Sequence, residues 1–338
     1  MSSISVGDLS QAYRLRTGNR DLKQTMATLS EEMTSGRKKD LAGATGGDLT
    51  ALASITHALN ALDAYKIATN EGTLFAGATQ GALETARTLA GDASATLLNA
   101  ATARSDTYVD TAAAAASQNF GAAVAALNVR VADRYVLAGA AVDQRPLADA
   151  ATMLSDLAGV VAGLTTAGDI EAAVTAWFDA APGGGGFLDS AYGGATGTAT
   201  RFALAPGDST SIDITAADPG IRSLLKGFAL GALLTQGVLG GDTAARAALA
   251  GAAGAELVAA GNRVLDLQTG LGTVEARLSD AAARNANEAA ALKVARSSII
   301  AADPYETATA LQEAQTRMET LYTLTAHLSQ LSLADYLR

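Results

Sequence analysis

Residues Asp303 to Arg338 read DPYETATALQEAQTRMETLYTLTAHLSQLSLADYLR, and their reading decides the fold. Asp303 supplies an N-cap oxygen, Pro304 suits the first helical position where its missing N–H is not needed, and Glu306 stands at the third position of a capping box. A helix therefore starts here. Leu311, Ala314, Met318, Leu321, Thr325 and Leu328 step by alternating threes and fours, a 3.5-residue period that keeps a narrow stripe on one face and requires a partner helix. Leu324, Leu331, Leu333 and Leu337 lie off that stripe, so the last two turns are apolar nearly all round. Such a helix is normally buried, and its cover must come from the N-terminal arm, from other subunits, or from both.

The N-terminal arm has the matching pattern. Leu15, Leu22 and Leu29 are seven apart, with Met26 and Met33 at the alternate positions, and Gly36 closes the helix ahead of the basic run Arg37 to Lys39. This arm is the natural partner of the C-terminal stripe.

The chain has 338 residues, of which 49% are hydrophobic but only 4% aromatic. Ala, Leu and Val therefore carry the apolar content, which suits closely approaching helices better than a thick interior. A formal net charge of -10 argues against binding nucleic acid or an anionic membrane surface. There is no cysteine, so disulfides, thiolate metal sites and cysteine nucleophiles are excluded. The opening MSSISVGDLSQAYRLR lacks a basic segment followed by an apolar one and does not read as a Sec-type signal peptide. The longest uncharged run, Thr111 to Val129, is mostly Ala with Ser, Gln and Asn, so no membrane segment is expected.

Between the arms, Leu49 to about Arg104 reads as one long helical region, with Leu52, Ile55, Leu59 and Leu62 in phase and Leu74, Leu83 and Leu97 continuing less regularly. A further helix is expected from about Asp106 to Ala138 on Phe120, Val124, Leu127 and Val131. Four of the five prolines fall between Pro146 and Pro219, which marks a different, inserted domain. It holds amphipathic helices near Leu147 to Leu164 and near Asp169 to Ala180, a Gly-rich loop from Gly183 to Gly197, and a hairpin whose arms, Arg201 to Leu204 and Thr210 to Thr215, bracket APGD. Asp218 and Pro219 cap a returning helix, and Gly240-Gly241 break the chain again. From Leu257 the positions Leu257, Val264, Leu271 and Leu278 repeat every seven with Leu267, Val274 and Ala281 interleaved, and Leu292 and Ile299 stay in phase. That run, about Thr243 to Ile300, would extend roughly 85 Å as a helix. The fold class expected is mainly α: an elongated antiparallel α-helical coiled-coil rod built from both chain termini, with a small inserted α/β domain. The boundaries are 1–140 for the N-terminal helical arms, 141–216 for the insertion and 217–338 for the C-terminal arms.

Candidate chemistry is sparse. His57 and His327 sit among helical heptads with Thr, Ala, Ser and Leu around them, and each reads as a surface or seam histidine. Gly183 to Gly186 is followed by no Lys-Ser/Thr and by no expected helix N-terminus, so it reads as a flexible loop. No G-x-S-x-G elbow occurs, and Asp208, Asp213 and Asp218 lack EF-hand spacing. No catalysis, cofactor or metal is expected.

The run LYTLTAHLSQLSLADYL, preceded by AADPYETATALQEAQ, resembles the C-terminal signature of the bacterial flagellin family, most closely its hook-filament junction branch, and the resemblance reaches back to about Val238. Arg134, Tyr135, Gly139 and Ala140 in RYVLAGAAV resemble the family's turn where the helical part gives way to an outer domain. Ser35 and Gly36 match the family's usual serine-glycine pair, while KKDLAGATGGDL departs from the asparagine-rich stretch that follows it there. The resemblance implies a non-enzymatic structural component of the flagellum: a junction protein connecting hook to filament, with a filament-forming flagellin as the alternative. A secreted helical adhesin or interaction module, a different class supported only by the Gly-rich middle domain, is the less favoured reading. The resemblance further implies export through the flagellar type III apparatus, an extracellular location, and a homo-oligomer in an axial ring. Its neighbours there would be other axial proteins, a second hook-associated protein and flagellin, with an export chaperone on the C-terminal helix. Under that reading the subunit assembly residues are Leu15, Leu22, Leu29, Leu311, Met318, Leu321, Leu324, Leu328, Leu331 and Leu333, with no nucleic acid and no membrane as partner.

Overall fold

The computed structural model describes residues 6–197 and 200–336, and the side chains of these apart from 6–9, 12 and 328–336. Among the described residues the chain is mainly α with two small antiparallel sheets, so the expected class of long helices from both halves of the chain, with a small α/β part between them in sequence, is the observed one. In chain order the elements begin with α1 (Val6–Ser35), a single turn α2 (Leu41–Ala44), α3 (Thr50–Ala103) and α4 (Asp106–Leu127). The hairpin β1 (Arg130–Val131) and β2 (Arg134–Tyr135) follows, then α5 (Ala150–Val160), α6 (Ala167–Asp179) and α7 (Phe187–Ser190). A second hairpin, β3 (Thr200–Ala205) with β4 (Asp208–Ile212), leads to α8 (Pro219–Leu233), α9 (Thr243–Ile300) and α10 (Pro304–Tyr336). Contacts divide the chain into two units, one of residues 1–61 with 287–338, the other of residues 62–286.

In the unit of residues 62–286, α3 and α9 run antiparallel: Gln268 Nε2 donates to Glu84 Oε2 at 3.2 Å, and Gly254 lies under Leu98. The heptad positions of α9 are the buried ones. Leu257, Val264, Leu271 and Leu278 are all at most 2% exposed, and they face Leu83, Leu97 and Phe75 from α3 within one core. Small residues let the helices come close, as the composition requires: a Cβ on Gly254 would stand 2.8 Å from Leu98 Cγ. α4 and α8 pack on the same core, with Phe120 stacked on Phe228 at 6.4 Å between ring centroids. The Asp218-Pro219 start of α8 forms as read, Asp218 Oδ1 accepting from Gly220 N at 2.9 Å.

Three expectations are corrected here. The helix from Asp106 ends at Leu127, not Ala138, because Ala132 and Asp133 both take positive φ, 47° and 62°, and close a two-residue hairpin that pairs Val131 with Arg134. Val131 therefore belongs to β1. Leu74 is 57% exposed and lies off the buried face that Leu83 and Leu97 occupy. The third concerns the glycine loop: a short helix, α7, does open directly behind Gly186. Asp189 of that helix turns its carboxylate back into the loop, where Gly183 N donates to Oδ1 at 2.8 Å and Gly185 N to Oδ2 at 2.7 Å. The loop is a nest filled by its own aspartate, held over an aromatic cluster in which Trp177 and Phe178 meet edge to face at 4.9 Å and Phe178 stacks on Phe187 at 5.4 Å.

Candidate assembly surface

In the unit of residues 1–61 and 287–338, α1 and α10 form an antiparallel pair. The Asp303 cap that begins α10 is built as the sequence suggests, with Oδ1 accepting from Tyr305 N at 2.8 Å and Glu306 N at 3.1 Å. Opposite it, Gly36 takes φ 66° and ends α1. The two helix ends are tied by backbone: Lys38 N donates to Ile300 O at 2.8 Å, Ala302 N to Gly36 O at 3.0 Å, and Arg37 bridges Ala301 in antiparallel sense. The sequence offered no hydrophobic signal for this joint, since main-chain groups make it.

From that joint the pair runs toward the termini. Ala314 and Met318 are buried at 5% and 7%, while Leu311 and Leu321 are half-buried. On α1, Leu15, Leu22, Leu29 and Met26 are half-buried too, and Gly18 lies under Leu321, whose Cδ1 would be 3.7 Å from a Cβ there. One partner helix thus covers each stripe only in part. Met33 is 48% exposed, Leu324 51%, and Thr325 is exposed as well. The side chains of Leu328, Leu331 and Leu333 lie outside the described residues, as does Leu337 altogether.

Beside the stripe, Arg16, Asn19, Arg20 and Lys23 line a groove floored by Leu15 and Leu321. Among the described residues none of these three cations is ion-paired. Both histidines, His57 and His327, are exposed on their helices and converge on no acid or metal-ligating group among the described residues. No helix of the described residues is long and apolar enough to cross a membrane.

A pair of helices with matched but half-covered apolar stripes belongs to the class of helical proteins that leave an apolar face open. Within that class, residues 257–337 match the family model for the bacterial flagellin C-terminal helical region. The match takes in the heptads of α9 from Leu257 onward and all of α10, about a quarter of the chain, and supports a structural flagellar protein of the flagellin kind. No curated protein matches the chain.

Proposed function

We propose that this chain is the hook-filament junction protein of a bacterial flagellum, of the FlgL type, connecting hook to filament through its terminal helices. The observation that carries the reading is the α1/α10 pair: its stripe from Leu311 to Leu321 is covered on one side by α1 and leaves Leu324 half exposed at 51%. The match of residues 257–337 to the flagellin C-terminal region supports the flagellar, structural part of that assignment, which junction protein and filament subunit share. The arm AYRLRTGNRDLKQTMATL lacks the asparagine-threonine-asparagine opening usual in filament flagellins, which favours the junction over the filament. Leu15, Leu22, Leu29, Leu311, Met318, Leu321 and Leu324, with Leu328, Leu331 and Leu333 from the sequence pattern, form the subunit assembly surface in an axial ring. Residues 141–216 are the outer insertion, and an export chaperone holds the C-terminal helix before secretion through the flagellar type III apparatus.

The test is a strain lacking the gene. Junction protein predicts hooks without attached filaments while flagellin accumulates in the medium. A strain that makes hooks and exports no filament subunit because this chain was the filament subunit itself moves the assignment to flagellin, the reading the family match also accommodates. Normal filaments and normal swimming end both.

A further inference from the structure

The sulfur of this chain is unevenly placed. There is no cysteine, and of the five methionines Met1 lies outside the described residues. Met153 belongs to the core of residues 62–286, whereas Met26, Met33 and Met318 all belong to the α1/α10 pair. Met33 is 48% exposed, Met26 half-buried, Met318 7% exposed and Met153 0%. Access for a dissolved oxidant falls in that order.

The three methionines of the pair stand along the line where its helices meet. Gly18 lies under Leu321, and Ala302 N donates to Gly36 O, so one antiparallel register runs the length of the pair. It sets Met26 level with the turn of α10 that holds the buried Ala314, Met33 level with the first turn and its buried Thr307, and Met318 level with Leu22. On α1 the leucines Leu15, Leu22 and Leu29 make one edge of the stripe, and the other edge is methionine from residue 26 on. A thioether packs there as a flexible apolar filler. Its sulfoxide is polar and chiral, with an oxygen that needs a hydrogen-bond donor when covered. One partner helix covers each stripe only in part, so the pair has little apolar contact to set against that change.

We infer that Met26 and Met33 form a reversible oxidation site that uncouples α1 from α10. The oxidant is a peroxide. The thioether sulfur attacks one oxygen of hydrogen peroxide, the O–O bond breaks as an S–O bond forms, sulfur gives up two electrons, and the second oxygen leaves as water. Methionine sulfoxide reductases reverse the step: two cysteine thiols of the reductase become a disulfide, and the sulfoxide oxygen leaves as water. The inference rests on the pair itself and not on the junction role. Under that role the site acts on the subunit before incorporation, while α1 and α10 still face solvent.

The purified full-length chain is treated with dilute hydrogen peroxide. Peptide mass spectrometry reads which sulfur has gained oxygen, and circular dichroism reads helix content. Met33 and Met26 should gain oxygen before Met318, and Met153 last. Helix content should fall in step with oxidation of Met26, by as much as the 30 residues of α1 and 33 of α10 contribute, and return on treatment with both epimer-specific reductases. The double variant M26L and M33L keeps volume and apolar character, so it should hold its helix through the same treatment. M26Q, whose amide supplies a sulfoxide-like polarity, should lack that helix with no oxidant present. Complete oxidation of Met26 and Met33 with unchanged helix content overturns the inference, as does helix loss in the double variant equal to that of the wild type. Oxidation of Met153 as fast as Met33 would show the core opening first and overturns it too. A normally swimming strain without the gene ends the junction role and leaves these outcomes as they stand.

Discussion

Gly72 on α3 lies directly beneath Leu278 of α9: a Cβ at Gly72 would stand 2.7 Å from Leu278 Cδ2 and 3.1 Å from Phe202 Cγ on β3. Three elements meet at one missing side chain, and Phe75 closes the junction with its ring 6.0 Å from that of Phe202. Leucine at position 72 must displace a buried leucine and a strand aromatic together. We expect Gly72→Leu to lower stability by about 1–3 kcal/mol through overpacking, read as a lower midpoint in denaturant followed by circular dichroism. Gly91, on the same helix with nothing within 4 Å of its added Cβ, is the control. There Gly91→Ala should raise the midpoint, by about 0.5–1 kcal/mol, from helix propensity alone. Equal and opposite shifts at the two sites in the reverse order would show that close helix approach is not what Gly72 provides.

The junction below it depends on a polar residue. Asn285 is in phase with Leu271 and Leu278, a position that helix periodicity assigns to the core, and it is 7% exposed. Its Nδ2 donates to Leu204 O at 2.8 Å and so fastens β3 to α9. Asn285→Leu fills the same space and leaves a strand carbonyl without its donor, which costs about 1–3 kcal/mol. Amide exchange should quicken in β3 and β4 before it does in α9. Unchanged exchange in the hairpin would place the hairpin's stability in Phe202 and Leu204 packing instead.

How much of this was legible follows from which forces write a periodic signature. The α9 core, Leu257 through Leu278, repeats every seven residues because its partner is a parallel-sided helix, and the sequence shows it without ambiguity. Leu74 carried the same residue type without the burial, because neighbouring Phe75 and Ala76 fill the face toward α9. The β1–β2 hairpin was hidden for a different reason. Its left-handed positions are Ala132 and Asp133, and neither is the glycine that announces such a turn. The α1/α10 joint was invisible since its hydrogen bonds join backbone atoms of residues 36–38 and 300–302, which side-chain pattern cannot report. At the candidate surface, the Asp303 cap and the Leu311 to Leu321 stripe were readable, whereas the exposure of Met33 and Leu324 required knowing which face of each helix its partner covers.

The Gly-rich loop gives a pH dependence. Backbone N–H groups of Gly183 and Gly185 hold the Asp189 carboxyl below its ordinary value of 3.8. A carboxylate whose folded pKa is depressed adds stability at every pH above that ordinary value and loses it as pH falls through the folded one. The loop should therefore be indifferent to pH from neutrality down to about 5 and loosen only below about pH 4. Proteolysis or amide exchange across residues 181–190 in Asp189→Asn should already match, at neutral pH, the wild type in acid. Loop loosening in the wild type near pH 6 would point to a different group.

Leu324 tests the terminal surface without disturbing the fold. It is 51% exposed on α10, one turn beyond the half-buried Leu321 and on the side that α1 does not cover. Aspartate there removes little buried area within the subunit, so helix content and thermal midpoint should stay within the range of ordinary surface substitutions, about 0.5 kcal/mol. In an assembled ring the same side chain would be covered by neighbouring subunits, and each copy would bury an unpaired charge at a cost of several kcal/mol. Repetition around the ring multiplies the loss. Under the junction role proposed above, Leu324→Asp is therefore expected to be secreted, folded and unable to join filament to hook, as seen by electron microscopy of hook-basal bodies with the secreted variant measured in the medium. The companion substitution Met318→Asp, at a residue 7% exposed against α1, should instead weaken the α1/α10 pair itself and be visible in circular dichroism of the isolated chain. Normal filament attachment by secreted Leu324→Asp would remove this face of α10 from the assembly surface.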